Sequence, residues 1–177
     1  GDVIRTDNAT AEVIGTNYAR NFVYLGKVAR RATDLHIPIS AGGAIISTLQ
    51  KKFGTGSLYL NGTARIDIPS NSEFAFGNND YAIEAQIYAN SAALSSTATI
   101  FDFRASSASE QAIRIYLESG QLRYNVNGSD MLVSGETTIA QDTWTHIALT
   151  REGSTVRLFV NGFLAQSTSA SGTHGYG

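Results

Sequence analysis

Three kinds of side chain in this chain are equipped for chemistry, and their spacing limits what each can do. Two carboxylates on one strand face could cleave a glycosidic bond as acid and base. Glu84 is the strand carboxylate best placed for that, yet no Asp or Glu stands two or five residues from it. His36, His146 and His174 fall in a connector, a strand and a tail, without the spacing of metal ligands. Cysteine is absent, which removes thiol nucleophiles, disulfides and thiolate metal sites together. The reading is of a protein that is not an enzyme. Sugar binding asks for something else, an exposed aromatic ring with Asn, Asp or Arg around it. Tyr88, Tyr116, Arg114 and Arg123 are the ligand-binding candidates, the two arginines lying in the strands of Tyr116 and Tyr124. Tyr124 shares a face with Leu122 and Val126 and reads as core.

The elements that must position these groups are strands. Trp144, His146, Ala148 and Thr150 alternate with Thr145, Ile147, Leu149 and Arg151, the period-2 pattern of an extended chain. Glu152-Gly153-Ser154 turns it, residues 155 to 160 return, and Asn161-Gly162 is a type I′ hairpin signal. The same alternation appears at 57–60, 64–68, 81–88, 99–103, 112–118, 121–126 and 131–133. Ile83, Ala85 and Ile87 point one way with Tyr81, and Ile113, Ile115 and Leu117 point inward. Helical spacing is nowhere sustained; Ala44 to Leu49 and the stretch around Ala92-Ala93-Leu94 are the places for a helical turn. Trp144 is expected to anchor the core. About ten strands joined by polar turns predict an all-β fold, a two-sheet antiparallel sandwich. Asn-x-Ser/Thr triplets begin at Asn8, Asn61 and Asn127, and at the last two an Asn-Gly turn accounts for the asparagine.

Composition agrees. Charged residues make up 16% of the 177, against roughly 25% in an average domain, and Ser, Thr, Asn and Gly fill the difference. The net charge of −2 offers no field for nucleic acid or an anionic membrane, and no run of about 18 apolar residues could span a bilayer. Charge is unevenly placed. Residues 1–52 hold seven Lys or Arg against four acids, whereas 53–177 hold six against eleven. A soft boundary at Pro38 separates a β-rich basic arm and connector, 1–38, from a sandwich at 39–177.

Two motifs carry a family likeness. KKFGTGSLYLNGTARIDIPSNSEFAFGNNDYAIEAQIYA contains a Phe-Gly-x-x-Ser-Leu strand, an Asn-Gly turn, a Pro-bounded strand and a Tyr-x-Ile-Glu strand. WTHIALTREGSTVRLFVNG contains a Trp-x-His strand, a Gly turn and a strand ending in Asn-Gly. In this order they resemble the laminin-G-like, concanavalin A-like jelly rolls found in bacteriophage virion and bacterial surface proteins, over roughly residues 40–170. The resemblance implies a jelly-roll sandwich. It implies a non-catalytic structural or adhesion module of a phage particle, a capsid decoration or tail-fibre component that can touch host glycans. The alternative it implies is a carbohydrate-binding or adhesion module of a bacterial surface or secreted protein. The expected location is the virion, or else the cell surface or medium. Expected partners are other virion or surface-protein subunits, a further copy of the chain included, and a glycan.

Related modules bind calcium through loop carboxylates. Asp102, Asp130, Glu136 and Asp142 are the acids near loops but form no EF-hand-like series, so no cofactor or metal is expected, calcium being the one alternative. Two departures stand out. NFVYLGKVARRATDL replaces the acidic, Gly-rich lead-in of the family, and SGTHGYG stands where further strands are usual, so the sandwich is expected to lack its last strands. Residues 1–30 are expected to pair at a sheet edge or with a neighbouring subunit, with Arg20, Lys27, Arg30 and Arg31 docking on an acidic partner.

Overall fold

The computed structural model describes residues 6–7, 10–11, 39–70, 72–104, 112–126 and 128–170. The chain forms two compact units, Gly1–Pro69 and Ser70–Gly177. Arg20, Lys27, Arg30, Arg31, His36 and His174 lie outside the described residues, and so do Asn8 and Asn127. No described helix is long and apolar enough to cross a membrane.

In the first unit every described sheet is a two-stranded antiparallel ribbon. β1 (Thr6–Asp7) pairs with β2 (Thr10–Ala11). β3 (Ile39–Ala41), β4 (Ile45–Ser47), β5 (Ser57–Tyr59) and β6 (Arg65–Asp67) follow, with β3 on β6 and β4 on β5. The helical turn expected at Ala44–Leu49 is instead strand β4, because two adjacent β-branched isoleucines favour the pleat and pair with Tyr59 and Leu58. Asn61 builds the turn before β6. Its Oδ1 accepts from the Thr63 and Ala64 amides at 3.0 and 2.9 Å and from the Thr63 hydroxyl. Gly42 is required by its surroundings: φ is +66° and an added Cβ would lie 2.6 Å from the Thr63 carbonyl oxygen.

The second unit holds the two-sheet sandwich, while residues 39–69, which the sequence assigned to the sandwich, fall in the first unit. β7 (Tyr81–Tyr88), a short helix α1 (Ser91–Ser95), β8 (Ala98–Asp102), β9 (Ile113–Glu118), β10 (Gln121–Val126), β11 (Ser129–Thr138), β12 (Trp144–Glu152), β13 (Thr155–Val160) and β14 (Phe163–Ser169) follow in chain order. α1 is the helical turn expected around Ala92, capped by the Asn90 side chain, which accepts from the Ala93 amide at 3.0 Å. The strands form two four-stranded antiparallel sheets, β14-β13-β12-β7 and β11-β10-β9-β8. Non-glycine residues sit at positive φ in the tight turns at Ser119-Gly120 and Asn161-Gly162, the conformation a type I′ hairpin needs.

The core lies between the sheets. Ile113, Ile115, Leu117, Leu122, Tyr124 and Val126 come from one sheet, and Ile83, Ile147, Leu149, Val156, Leu158 and Val160 from the other. Each fully buried aliphatic side chain contributes about 1.5 to 3 kcal/mol. Tyr124 is fully buried, as its face predicted, with its hydroxyl 3.5 Å from that of Tyr81. Burial pushes both phenols above their ordinary range.

Candidate functional site

Because β9 and β10 turn alternate residues into the core, Arg114, Tyr116, Glu118, Gln121, Arg123 and Asn125 share the outer face of their sheet. The register sets Tyr116 opposite Arg123 and Arg114 opposite Asn125, and β11 brings Asp130 opposite Asn125. Asp130 is the hub. Its Oδ1 accepts from the Tyr116 hydroxyl at 2.7 Å and from Asn125 Nδ2 at 3.0 Å, while its Oδ2 accepts from Arg123 Nη1 at 2.7 Å. Glu118 Oε2 lies 3.3 Å from Arg123 Nε. Arg114 stacks its guanidinium 4.3 Å from the centre of the Tyr116 ring and donates twice to Thr99 Oγ1, at 3.1 and 2.7 Å.

The electrostatics follow from these contacts. Burial, then the bond to Asp130, pushes the Tyr116 phenol up to about 12. Burial opposes ionisation of Asp130 too, but donors from Asn125, Tyr116 and Arg123 outweigh it and hold the carboxyl below its ordinary value. The bond to Asp130 also raises Arg123 further. So the structure brings together three of the four sugar candidates, Tyr116, Arg114 and Arg123. It spends them on one another: Tyr116 is only 6% exposed and one ring face is under Arg114.

The fourth candidate, Tyr88, belongs to the other sheet. β7 pairs with β12 so that Tyr88 faces Trp144, Gln86 faces His146 and Glu84 faces Ala148. Trp144 does not anchor the core. Thr145, Ile147, Leu149 and Arg151 fill the inner positions of β12, leaving Trp144 half-buried on the outer face. The cause is parity. Ile147 and Leu149 complete apolar rows with Ala85, Ile83, Val160 and Leu158, and a one-residue slip to bury Trp144 would expose them.

On that outer face the Tyr88 and Trp144 rings lie 5.5 Å apart and are tilted by 59°. His146 Nε2 sits 3.2 Å from Glu84 Oε2, the carboxylate side chain being 70% exposed and the imidazole 32%. The strand end is pinned by Asn161, whose Oδ1 accepts from the His146 amide at 2.9 Å and whose amide donates to the His146 carbonyl at 2.8 Å. Phe159 and Leu164 continue the face beyond Ala148, with Leu164 55% exposed. The sequence assigned Trp144 to the core and not to a ligand site. The signal that finds it is the β7–β12 register, which sets it beside Tyr88.

The acids named for calcium stand in separate environments. Asp102 accepts from Arg104 Nε and Nη2 at 2.8 and 2.7 Å. Asp142 accepts from Gln141 Nε2 at 2.9 Å, Asp130 holds the network above, and Glu136 is exposed on β11. Among the described residues no three Asp, Glu or His side chains converge as a metal site would require.

Comparison with known proteins identifies the fold family. Residues 60–176 match the family model described as the concanavalin A-like lectin/glucanases superfamily, and the chain belongs to it. No curated protein matches. Among solved structures, the chain is similar to the binding domain of Paraclostridial Mosquitocidal Protein 1, with a TM-score of 0.58 at 17% identity, covering 80% of this chain and 38% of that one. It also aligns with an S-layer domain-containing protein from Clostridium thermocellum, with a TM-score of 0.36 at 21% identity, over 72% of this chain and 60% of that one. The chain thus spans less than two thirds of either structure.

Proposed function

We propose that this member of the concanavalin A-like lectin/glucanases superfamily is a non-catalytic binding and adhesion module that works outside the cell and takes a glycan as its ligand. Lectin-type family membership and the two-sheet sandwich support binding. The observation that carries the non-catalytic half is the treatment of carboxylates. Glu118 and Asp130 flank the same guanidinium, that of Arg123, which forms an ion pair with each. A glycosidase needs one carboxyl of its pair kept protonated, with a raised pKa. Here Asp130 is held low, and Glu84 is paired with an imidazole.

Of the two carriers that the sequence suggests, the bacterial surface or secreted protein takes first place. The fold likeness to the binding domain of a mosquitocidal toxin supports it. The virion placement, as capsid decoration or tail fibre, rests on the family resemblance and the basic segment around Arg20, Lys27, Arg30 and Arg31. Neighbouring genes for export or cell-wall attachment would favour the first; capsid or tail genes would favour the second.

A printed glycan array probed with the full chain tests the function. Retention of one glycan class, with no reducing ends released from it, is expected. Hydrolysis of a bound glycan would overturn the non-catalytic reading, and no retention anywhere would overturn the glycan.

A further inference from the structure

The two outer faces of the sandwich carry the same kinds of residue but use them differently. On the β9–β10 face Tyr116, Arg123 and Asn125 are all bonded to Asp130, and the tyrosine ring is covered by Arg114. On the β7–β12 face two aromatic rings stand half-buried, and farther along the same face a carboxylate that is 70% exposed is bonded to an imidazole. The first is closed chemistry and the second is open.

Resting on the glycan-binding reading, we propose that the outer face of β7 and β12 is a subsite for two consecutive neutral pyranose residues, the first stacked on Trp144 and Tyr88 and the second held through its hydroxyls by His146 and Glu84. The tilt of 59° between the rings makes a shallow corner and not a flat stack. One ring meets the C–H face of a sugar while the other flanks its rim. Residues two apart on a strand are separated by roughly 6.5 Å along it. His146 therefore sits about one sugar-ring width along the strand from Trp144, and Glu84, opposite Ala148 one step farther on, meets it at Nε2 across 3.2 Å. A carboxylate accepts two hydroxyls and donates none, so it favours a ligand rich in O–H groups. It repels a uronate, a sialic acid or a sulfated sugar. The neutral class follows from that sign.

The strand end that carries the corner is held firmly. Asn161 bonds both the amide and the carbonyl of His146, which keeps the backbone beneath the rings in place without a ligand. Such preorganisation lowers the ordering cost of binding.

The chain has a single tryptophan beside eight tyrosines, so emission excited at the red edge, where tyrosine does not absorb, reports on Trp144. The probes are neutral gluco-, manno- and galacto-oligosaccharides together with sialyl- and glucuronyl-oligosaccharides, titrated into the full chain. A neutral series is expected to shift the emission and to shield Trp144 from acrylamide. Tyr88→Ala and Glu84→Gln should each weaken binding by about tenfold, the loss of one good contact, while the circular dichroism spectrum and Tm stay close to those of the parent. Three results would overturn the subsite while leaving glycan binding intact. They are binding with unchanged emission and quenching, preference for the acidic sugars, or loss of binding in Arg114→Ala with Tyr88→Ala unaffected. If no oligosaccharide or arrayed glycan binds the parent chain, the underlying reading falls and takes the subsite with it.

Discussion

The Tyr116 hydroxyl donates to Asp130 Oδ1 across 2.7 Å, joining the middle of β9 to the first residues of β11 over the intervening strand β10. Asn125 and Arg123 of β10 bond the same carboxylate. One side chain therefore ties three strands of a sheet whose β10–β11 register is interrupted between Tyr124 and Asn125. A bulge loosens pairing locally, and the carboxylate restores a connection there.

Asp130→Ala should lower stability by about 1 to 3 kcal/mol, since it leaves the buried Tyr116 phenol without its acceptor, while Arg123 keeps Glu118 and Gln121. Asp130→Asn keeps an acceptor oxygen and should cost less. Tyr116→Phe removes one donor among three and should cost about 1 kcal/mol. Urea unfolding of the three variants checks the order, and a double-mutant cycle between Tyr116→Phe and Asp130→Asn should show coupling. Strict additivity would mean the contact is not made in solution.

The same pair sets a pH dependence at both ends. Asp130 has a depressed pKa in the folded chain, so its contribution is present above the unfolded carboxylate range and is lost as pH falls through the folded value, below about 4. Tyr116 has a raised pKa, so the folded state holds its proton while the unfolded chain gives it up. Its contribution is full below pH 10 and is lost as pH rises from there through about 12. At 1.36 kcal/mol per unit the alkaline loss is about 2 to 3 kcal/mol. The Tyr81 and Tyr124 phenols are raised as well, and their contributions are lost over the same range. Melting curves from pH 8 to 12 should therefore show a fall in Tm that Tyr116→Phe reduces without abolishing, and an unreduced fall would count against the Tyr116 contribution.

Trp144→Ala should cost less than a core truncation. The ring is half-buried on an outer face, while Leu158 is fully buried between the sheets. Leu158→Ala is expected to lose about 2 to 5 kcal/mol, and Trp144→Ala clearly less than the 3 to 5 kcal/mol of a buried tryptophan. If the two denaturation midpoints fall equally, Trp144 packs inside after all.

Removing residues 1–35 probes the basic segment, proposed to dock through Arg20, Lys27, Arg30 and Arg31 on an acidic partner or a sheet edge. The shortened chain should fold in lower yield or fail to form the assemblies of the full chain in analytical ultracentrifugation. Equal Tm and equal sedimentation would make the segment a linker.

Much was legible in the residues alone. The alternation of Tyr81–Tyr88, the paired glycine turns and the two separated motifs determine the strands β7, β9, β10, β12 and β13, their hairpins and the sandwich. Each of those signals is local, written within a few residues by side-chain period and by the φ that a turn demands. The inner faces followed wherever one face was clearly more apolar, as for Leu122, Tyr124 and Val126. β12 was harder, because Trp144 and Ala148 make its outer face apolar too. Only the tertiary structure decided that face, and it did so by setting β7 beside β12. His146 thereby meets Glu84, 62 positions earlier in the chain, and Tyr88 meets Trp144. It likewise drew Tyr116, Arg123 and Asp130 into one network and closed the site that their types had suggested. Pairing between distant strands is selected by the packing of the whole core and not by any short window of residues. The types of the candidate residues were therefore visible in the sequence, and which of them stand open to a ligand was not.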